Sequence, residues 1–128
     1  MPKVVIDTNI LLTFLLSPEP VGTVVDRLLD AAANGRLELL LPVQVIVELN
    51  IAAQRPRLAR RIMQREVESV LRRVMGIATV LPLLEEEPPA ICRDAKDDFL
   101  IAVSFLHSAD FLVTQDTDLL VLDAIGHL

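Results

Sequence analysis

Short runs of β-branched and aliphatic residues alternate along this chain with longer stretches in which apolar side chains recur every three to four positions. Lys3 to Ile6 is the first run, a buried strand by its pattern, and it closes on Asp7. Asp7-Thr8-Asn9 reads as a strand-to-helix turn whose side chains can each accept from helix N-terminal amides. Ile10 to Leu16 continues as a short helix that Ser17-Pro18-Glu19-Pro20 stops. From Val21 to Asn34, Val24, Val25, Leu28, Leu29 and Ala32 form a helical stripe ended by Asn34-Gly35. Leu37 to Leu41 is a second strand, and Pro42 suits the start of a helix over Val43 to about Gln54. Arg55-Pro56 breaks that helix, and a long one follows to about Val74, with Met63, Val67, Val70 and Val74 as its core stripe. Ile77 to Leu81 is a third strand. Pro82 to Lys96 is a long irregular stretch around Glu85-Glu86-Glu87-Pro88-Pro89. Asp97 or Asp98 opens a helix to about Ser108, Phe111 to Thr114 is a fourth strand, and Gln115 to Asp118 turns into a last helix or irregular tail at Leu119 to Ile125.

Strands alternating with helices imply an α/β domain: a central, mainly parallel sheet of four or five strands with helices on both faces, formed by residues 1–128 as one unit. In such folds ligands sit outside the carboxyl ends of the strands. Asp7 and Asp116 both fall at predicted strand ends, which is how a cation site would be arranged.

Composition narrows the chemistry. At 128 residues and 52% hydrophobic, the chain can bury a substantial core. Apolar stretches such as Ile10 to Leu16 are far short of the roughly 20 residues of a membrane span. Asp7 interrupts the N-terminal apolar run before a signal-peptide core can form, so a cytoplasmic protein with no membrane association is expected. Cys92 is the only cysteine, which excludes an intrachain disulfide and a cysteine-based zinc site. His107 and His127 have no metal-ligand spacing. The net charge of −6 is the wrong sign for a nucleic-acid binder, yet seven of the 12 Lys and Arg residues fall between Arg55 and Arg73. Arg57, Arg61, Arg65 and Arg72 share one face of the long predicted helix. That face is either a solvated surface or a phosphate contact. With four Phe and no Tyr or Trp, base-stacking platforms are nearly absent.

The acids that carry the reading are Asp7, Glu48, Asp97, Asp98, Asp116 and Asp118. Hard divalent cations bind through oxygen ligands, commonly one or two carboxylates plus substrate phosphates. Acids gathered at one edge repel one another, and a cation offsets that repulsion. Taken singly, Asp7, Asp116 and Asp97 or Asp98 are equally explained as helix caps. Glu48 is harder to place so simply: it stands in Val43-Gln44-Val45-Ile46-Val47-Glu48-Leu49, where it is either exposed on an amphipathic helix or an expensive buried charge.

Four segments in order resemble the PIN-domain family. Val4-Val5-Ile6-Asp7-Thr8-Asn9-Ile10-Leu11-Leu12 resembles its opening, and Glu48 after the Leu41-Pro42-Val43 strand exit resembles its second acid. Arg93-Asp94-Ala95-Lys96-Asp97-Asp98-Phe99-Leu100 resembles the segment of the third acid. Ala109-Asp110-Phe111-Leu112-Val113-Thr114-Gln115-Asp116-Thr117-Asp118 resembles the closing segment with the fourth. The resemblance implies a Mg²⁺- or Mn²⁺-dependent ribonuclease, many relatives being VapC-type toxins of toxin–antitoxin pairs, and with it an RNA substrate, a protein antitoxin and a homodimer. It implies that Asp7, Asp97 or Asp98, and Asp116 bind metal and that Glu48 binds metal through water or orients the nucleophile. Asp118 supports them, and Thr8, Asn9 and Thr114 orient the carboxylates. The spacing back from Asp116 selects Asp98 in one branch and Asp97 in another, so both stay open. The arginine face would then contact RNA.

Two rivals belong to other classes. A phosphatase of the haloacid dehalogenase type also places an Asp after its first strand, but needs a second Asp two residues on, where this chain has Asn9. An inactive PIN-like binding module would share the fold without the chemistry, although all four acid positions are filled here.

Overall fold

The structure is a computed structural model that describes residues 1–17, 23–83 and 95–114, with the backbone alone at 95–97. The elements are β1 (Lys3–Ile6), α1 (Thr8–Leu16), α2 (Val24–Ala33), β2 (Glu38–Pro42), α3 (Val43–Ala53), α4 (Pro56–Ala59), α5 (Gln64–Ile77), β3 (Thr79–Leu81), α6 (Ala95–Leu106) and β4 (Phe111–Val113). All four strands among the described residues are parallel, in the order β3-β2-β1-β4. The α/β architecture read from the sequence is the one observed.

Chain order moves outward from β1 through β2 to β3, then crosses back to place β4 on the other side of β1. Parallel crossovers are right-handed almost without exception. The helices between β1 and β3 therefore lie on one face of the sheet and α6 on the other. Accordingly α1, α2, α3 and α5 pack on one another, while α6 packs against β4. The order of strands reverses at the β1–β4 seam, where such sheets place their ligands. The core runs through the middle of this arrangement: Val5, Ile6, Leu39 and Leu41 from the sheet, Leu11, Leu29, Val45, Leu49, Val67 and Val74 from one helical layer, and Val103 from the other are all buried.

Several boundaries depart from the sequence pattern. Thr8 and Asn9 are already helical, so Asp7 directly abuts α1. The second helix starts at Val24, with Thr23 accepting from the Asp26 N–H at 3.3 Å, and residues 21 and 22 lie outside the described residues. It ends where Gly35, at φ 72°, lets the Gly35 and Arg36 amides return to Ala32 and Ala31. The strands read as Leu37–Leu41 and Ile77–Leu81 are shifted or shortened, Ile77 being the last residue of α5.

The long helix after Arg55-Pro56 is two helices. Chain turns at Arg60 to Met63 separate α4 from α5, and the Met63 N–H donates to Glu66 Oε1 at 3.1 Å as the new helix begins. Met63 is thus 52% exposed at a helix start, and Leu71 takes its place beside Val67, Val70 and Val74 in the buried stripe. The same break divides the arginines. Arg57 is on α4, Arg61 is in the turn, and only Arg65 and Arg72 share a face of α5.

Helix α6 starts at Ala95, earlier than expected, and finishes at Leu106 rather than Ser108. Ser108 adopts φ 55°, and the Ala109 N–H returns to the Ser104 carbonyl at 2.8 Å. Left-handed backbone is costly for a serine, so no glycine marks this stop in the sequence. Asp110 then clamps β4 to the start of β1: its N–H donates to the Lys3 carbonyl and its Oδ2 accepts from the Lys3 N–H, both at 2.8 Å. No helix among the described residues is long and apolar enough to cross a membrane. Most of the irregular stretch from Pro82 and all of the segment from Gln115 lie outside the described residues.

Candidate active site

Strand β1 delivers Asp7 to the seam with β4. The Asp7 N–H completes the parallel ladder by donating to the Val113 carbonyl at 3.1 Å, and its carbonyl accepts from Ile10 at the start of α1. Its side chain does not cap that helix. Asp7 Oδ2 instead accepts from Thr114 Oγ1 at 2.8 Å, across the seam from the residue next to β4. With only 6% of its surface exposed, Asp7 is an acid held in place from two directions at the carboxyl edge of the sheet.

The next residue makes the second connection. Thr8 is buried at the first position of α1, and its Oγ1 donates to Glu48 Oε2 at 3.0 Å. Glu48 lies midway along α3, half-buried, where the packing of α1 on α3 brings it opposite the β1–α1 junction. It is neither the fully exposed residue nor the unpartnered buried charge that its sequence context offered. Two neighbouring residues thus serve two carboxylates: Asp7 as an acid itself, Thr8 as donor to the other.

Over residues 3–118 the chain matches the PIN-domain family model. The chain belongs to the PIN-domain family. PIN domains are generally nucleases and typically use divalent metal ions, and this one has the nuclease fold. No curated protein matches the chain closely enough to add a relative.

Within this PIN domain the remaining expected site residues are distributed unevenly. Asp98 is the fourth residue of α6 and is 6% exposed. Because α6 begins at Ala95, neither Asp97 nor Asp98 stands at its N-cap position. The side chain of Asp97, and all of Asp116 and Asp118, lie outside the described residues. Thr114 and Thr8 each donate to a carboxylate. Asn9 does not among the described residues: it is exposed, and its carbonyl accepts from Thr13 Oγ1 at 2.9 Å. Arg57 and Arg61 line a pocket about α4 with Arg55, Pro56 and Leu58, apart from Arg65 and Arg72.

One residue escaped the sequence reading. Gln44 precedes Glu48 by four residues, one turn away on the same face of α3. Among the described residues its buried Oε1 has no hydrogen-bond partner. Leaving such an oxygen unsatisfied costs about 1–3 kcal/mol, and a buried polar atom without a partner calls for a water, an ion or a ligand. The i, i+4 spacing with Glu48 was the available signal.

The described donor set fits a hard cation in kind: carboxylate oxygens from Asp7 and Glu48, hydroxyl groups that orient them, and an amide oxygen left open beside Glu48. It is not complete. Among the described residues no three acidic, histidine or cysteine side chains come close enough to form a metal cluster.

Proposed function

We propose that this PIN domain is a Mg²⁺- or Mn²⁺-dependent endoribonuclease and the toxin of a toxin–antitoxin pair, acting as a homodimer controlled by a protein antitoxin. The observation that carries the catalytic reading is that Asp7, at a helix start where capping would be the ordinary use of an acid, turns its carboxylate to Thr114 instead. The toxin role, antitoxin and homodimer rest on the family resemblance alone.

In this reading Asp7 and Asp98 hold the cation together with Asp116, and Asp118 supports Asp116. Asp98 is taken as the acid of its pair because it is a buried carboxylate, 6% exposed; Asp97→Asn beside Asp98→Asn tests that choice. A divalent cation supplies positive charge that offsets the phosphate's own and acidifies water. Thr8 fixes Glu48 through Oε2, leaving Oε1 to take the proton from a water that attacks phosphorus. Thr114 keeps Asp7 in one rotamer, so that the carboxylate does not have to be ordered when the site loads. The water oxygen forms the new bond to phosphorus, the P–O bond to the ribose oxygen of the departing strand breaks, that oxygen takes a proton from solvent water, and no covalent enzyme intermediate is needed.

The test is paired. Wild type should cleave a labelled single-stranded RNA in Mn²⁺ and not in EDTA. Mn²⁺ at about one hundred times its Kd should also stabilise the fold by about 2.7 kcal/mol. Asp7→Asn should lose both effects. A wild type whose melting temperature and RNA are both untouched by millimolar Mn²⁺ removes the proposal.

A further inference from the structure

A groove of about 640 Å³ lies between the last turn of α1 and α5. Phe14, Leu15 and Val70 give it an apolar lining, and Arg65, Ser69 and Arg72 a polar one. Other charges that line it are already engaged. Arg73 pairs with Asp26 at 3.4 Å, and Glu66 accepts from the Met63 N–H. Arg65 and Arg72 are exposed and have no hydrogen-bond or ion-pair partner among the described residues.

Two free guanidinium groups in a concave surface suit phosphate, which arginine takes through a planar fork of donors. Their spacing is regular as well. Seven residues apart, Arg65 and Arg72 fall on one stripe of α5, roughly 10 Å apart along its axis. That spacing is longer than one step of a nucleic-acid backbone, so the two guanidiniums can meet different phosphates of one strand. Helix α1 joins this groove to the carboxylates: Thr8 is in its first turn, and Phe14 and Leu15, six and seven residues on, are in its last. That separation is also roughly 10 Å. An acidic peptide could pair with the same guanidiniums. Continuity with the carboxylate site favours nucleic acid, because a strand cut at Asp7 has to leave along some flank of the domain.

The geometry points to the α1–α5 groove as the surface that anchors the RNA backbone on the flank of the domain beside the carboxylates. The inference rests on the ribonuclease reading above and narrows the arginine face of the sequence to Arg65 and Arg72.

The experiment is metal-free binding of a fluorescent 12-nucleotide single-stranded RNA over a salt series. It compares wild type, Arg65→Gln/Arg72→Gln, and the charge-matched control Arg27→Gln/Arg36→Gln, whose exposed arginines line no part of the groove. Cleavage of the same RNA by wild type in Mn²⁺ runs alongside. Each phosphate contact on a single strand contributes about 0.7 to the slope of log affinity against log salt. The groove variant should lower that slope by about 1.4 and weaken low-salt binding at least tenfold, and the control should do neither. Arg65→Lys/Arg72→Lys, which keeps the charge, should restore most of the slope even if the glutamine variant melts lower. A wild type that cleaves, with a slope that the groove variant leaves unmoved, overturns the groove alone. A wild type that neither binds nor cleaves RNA removes the ribonuclease reading and the groove with it. Loss of binding to a polyglutamate peptide, with RNA binding retained, assigns the groove to an acidic peptide and overturns the proposal.

Discussion

Thr114 donates its hydroxyl to Asp7 at 2.8 Å across the seam where β4 meets β1. The bond joins the residue following the last described strand to the residue following the first, and it holds an acid that helix geometry alone would have left free to cap α1.

Thr114→Val keeps the shape and removes the donor. A hydrogen bond to a charged group contributes about 1.5–3 kcal/mol, so the variant should melt lower and its stabilisation by Mn²⁺ should shrink. Thr114→Ser, which keeps the hydroxyl, should recover most of both. Calorimetry with and without Mn²⁺ checks this, and a valine variant that matches wild type in both scans would show that the bond orients nothing.

Asp98→Asn and Asp97→Asn separate the two neighbouring acids. Neither residue stands at the N-cap position of α6, so the roughly 1 kcal/mol loss typical of a removed N-cap is not expected from either substitution. RNA cleavage in Mn²⁺ should fall at least a hundredfold for Asp98→Asn and by much less for Asp97→Asn. The opposite ranking would move the ligand to Asp97.

Glu48→Gln tests the other half of the site. The amide oxygen of glutamine can still accept from Thr8 Oγ1, so the fold should persist with a metal-free melting temperature equal to or above that of wild type. Cleavage should nonetheless collapse, because a neutral amide takes no proton from water. Full activity in a normally folded variant would remove the role given to Glu48, and a melting point that drops in step with activity would make the residue structural.

Gln44→Leu trades a polar atom without a partner for an apolar side chain of similar size. Relief of the unsatisfied Oε1 should raise metal-free stability by about 1 kcal/mol, while cleavage in Mn²⁺ should fall severalfold. A gain in stability with cleavage unchanged would mean that this oxygen faces only the protein.

Much of this was legible in the sequence because it was local. The β-branched run Lys3–Ile6, a second strand read at Leu37–Leu41 and found one residue later, and the stripe of Val67, Val70 and Val74 follow from period and composition, and the strand ends place Asp7 without any tertiary information. What was not legible depends on groups distant in the chain or on helix boundaries without an ordinary signal. Met63 has the right spacing for the core stripe of a continuous helix. The chain nevertheless turns before it, and the new helix is secured by a glutamate reaching back to a backbone amide rather than by a serine or aspartate cap. Ser108 ends α6 in a conformation for which glycine would have been the visible marker. The sequence showed that Thr8 and Thr114 were polar and well placed, but which carboxylate each would serve is set only by how α1 packs on α3 and β4 on β1.

The two threonine bonds span 40 and 107 residues of chain. In an unfolded or partly made polypeptide these partners are far apart, and the strand that Thr114 follows is the last of those described. The Thr114–Asp7 bond therefore requires β4 to be paired with β1, whereas Thr8 and Glu48 both lie in chain that precedes β4. A chain stalled before β4, or one in which β4 has peeled from β1, has Asp7 but lacks the hydroxyl that steadies it. The bond is thus a reporter of the seam: it exists only while β4 stays paired with β1.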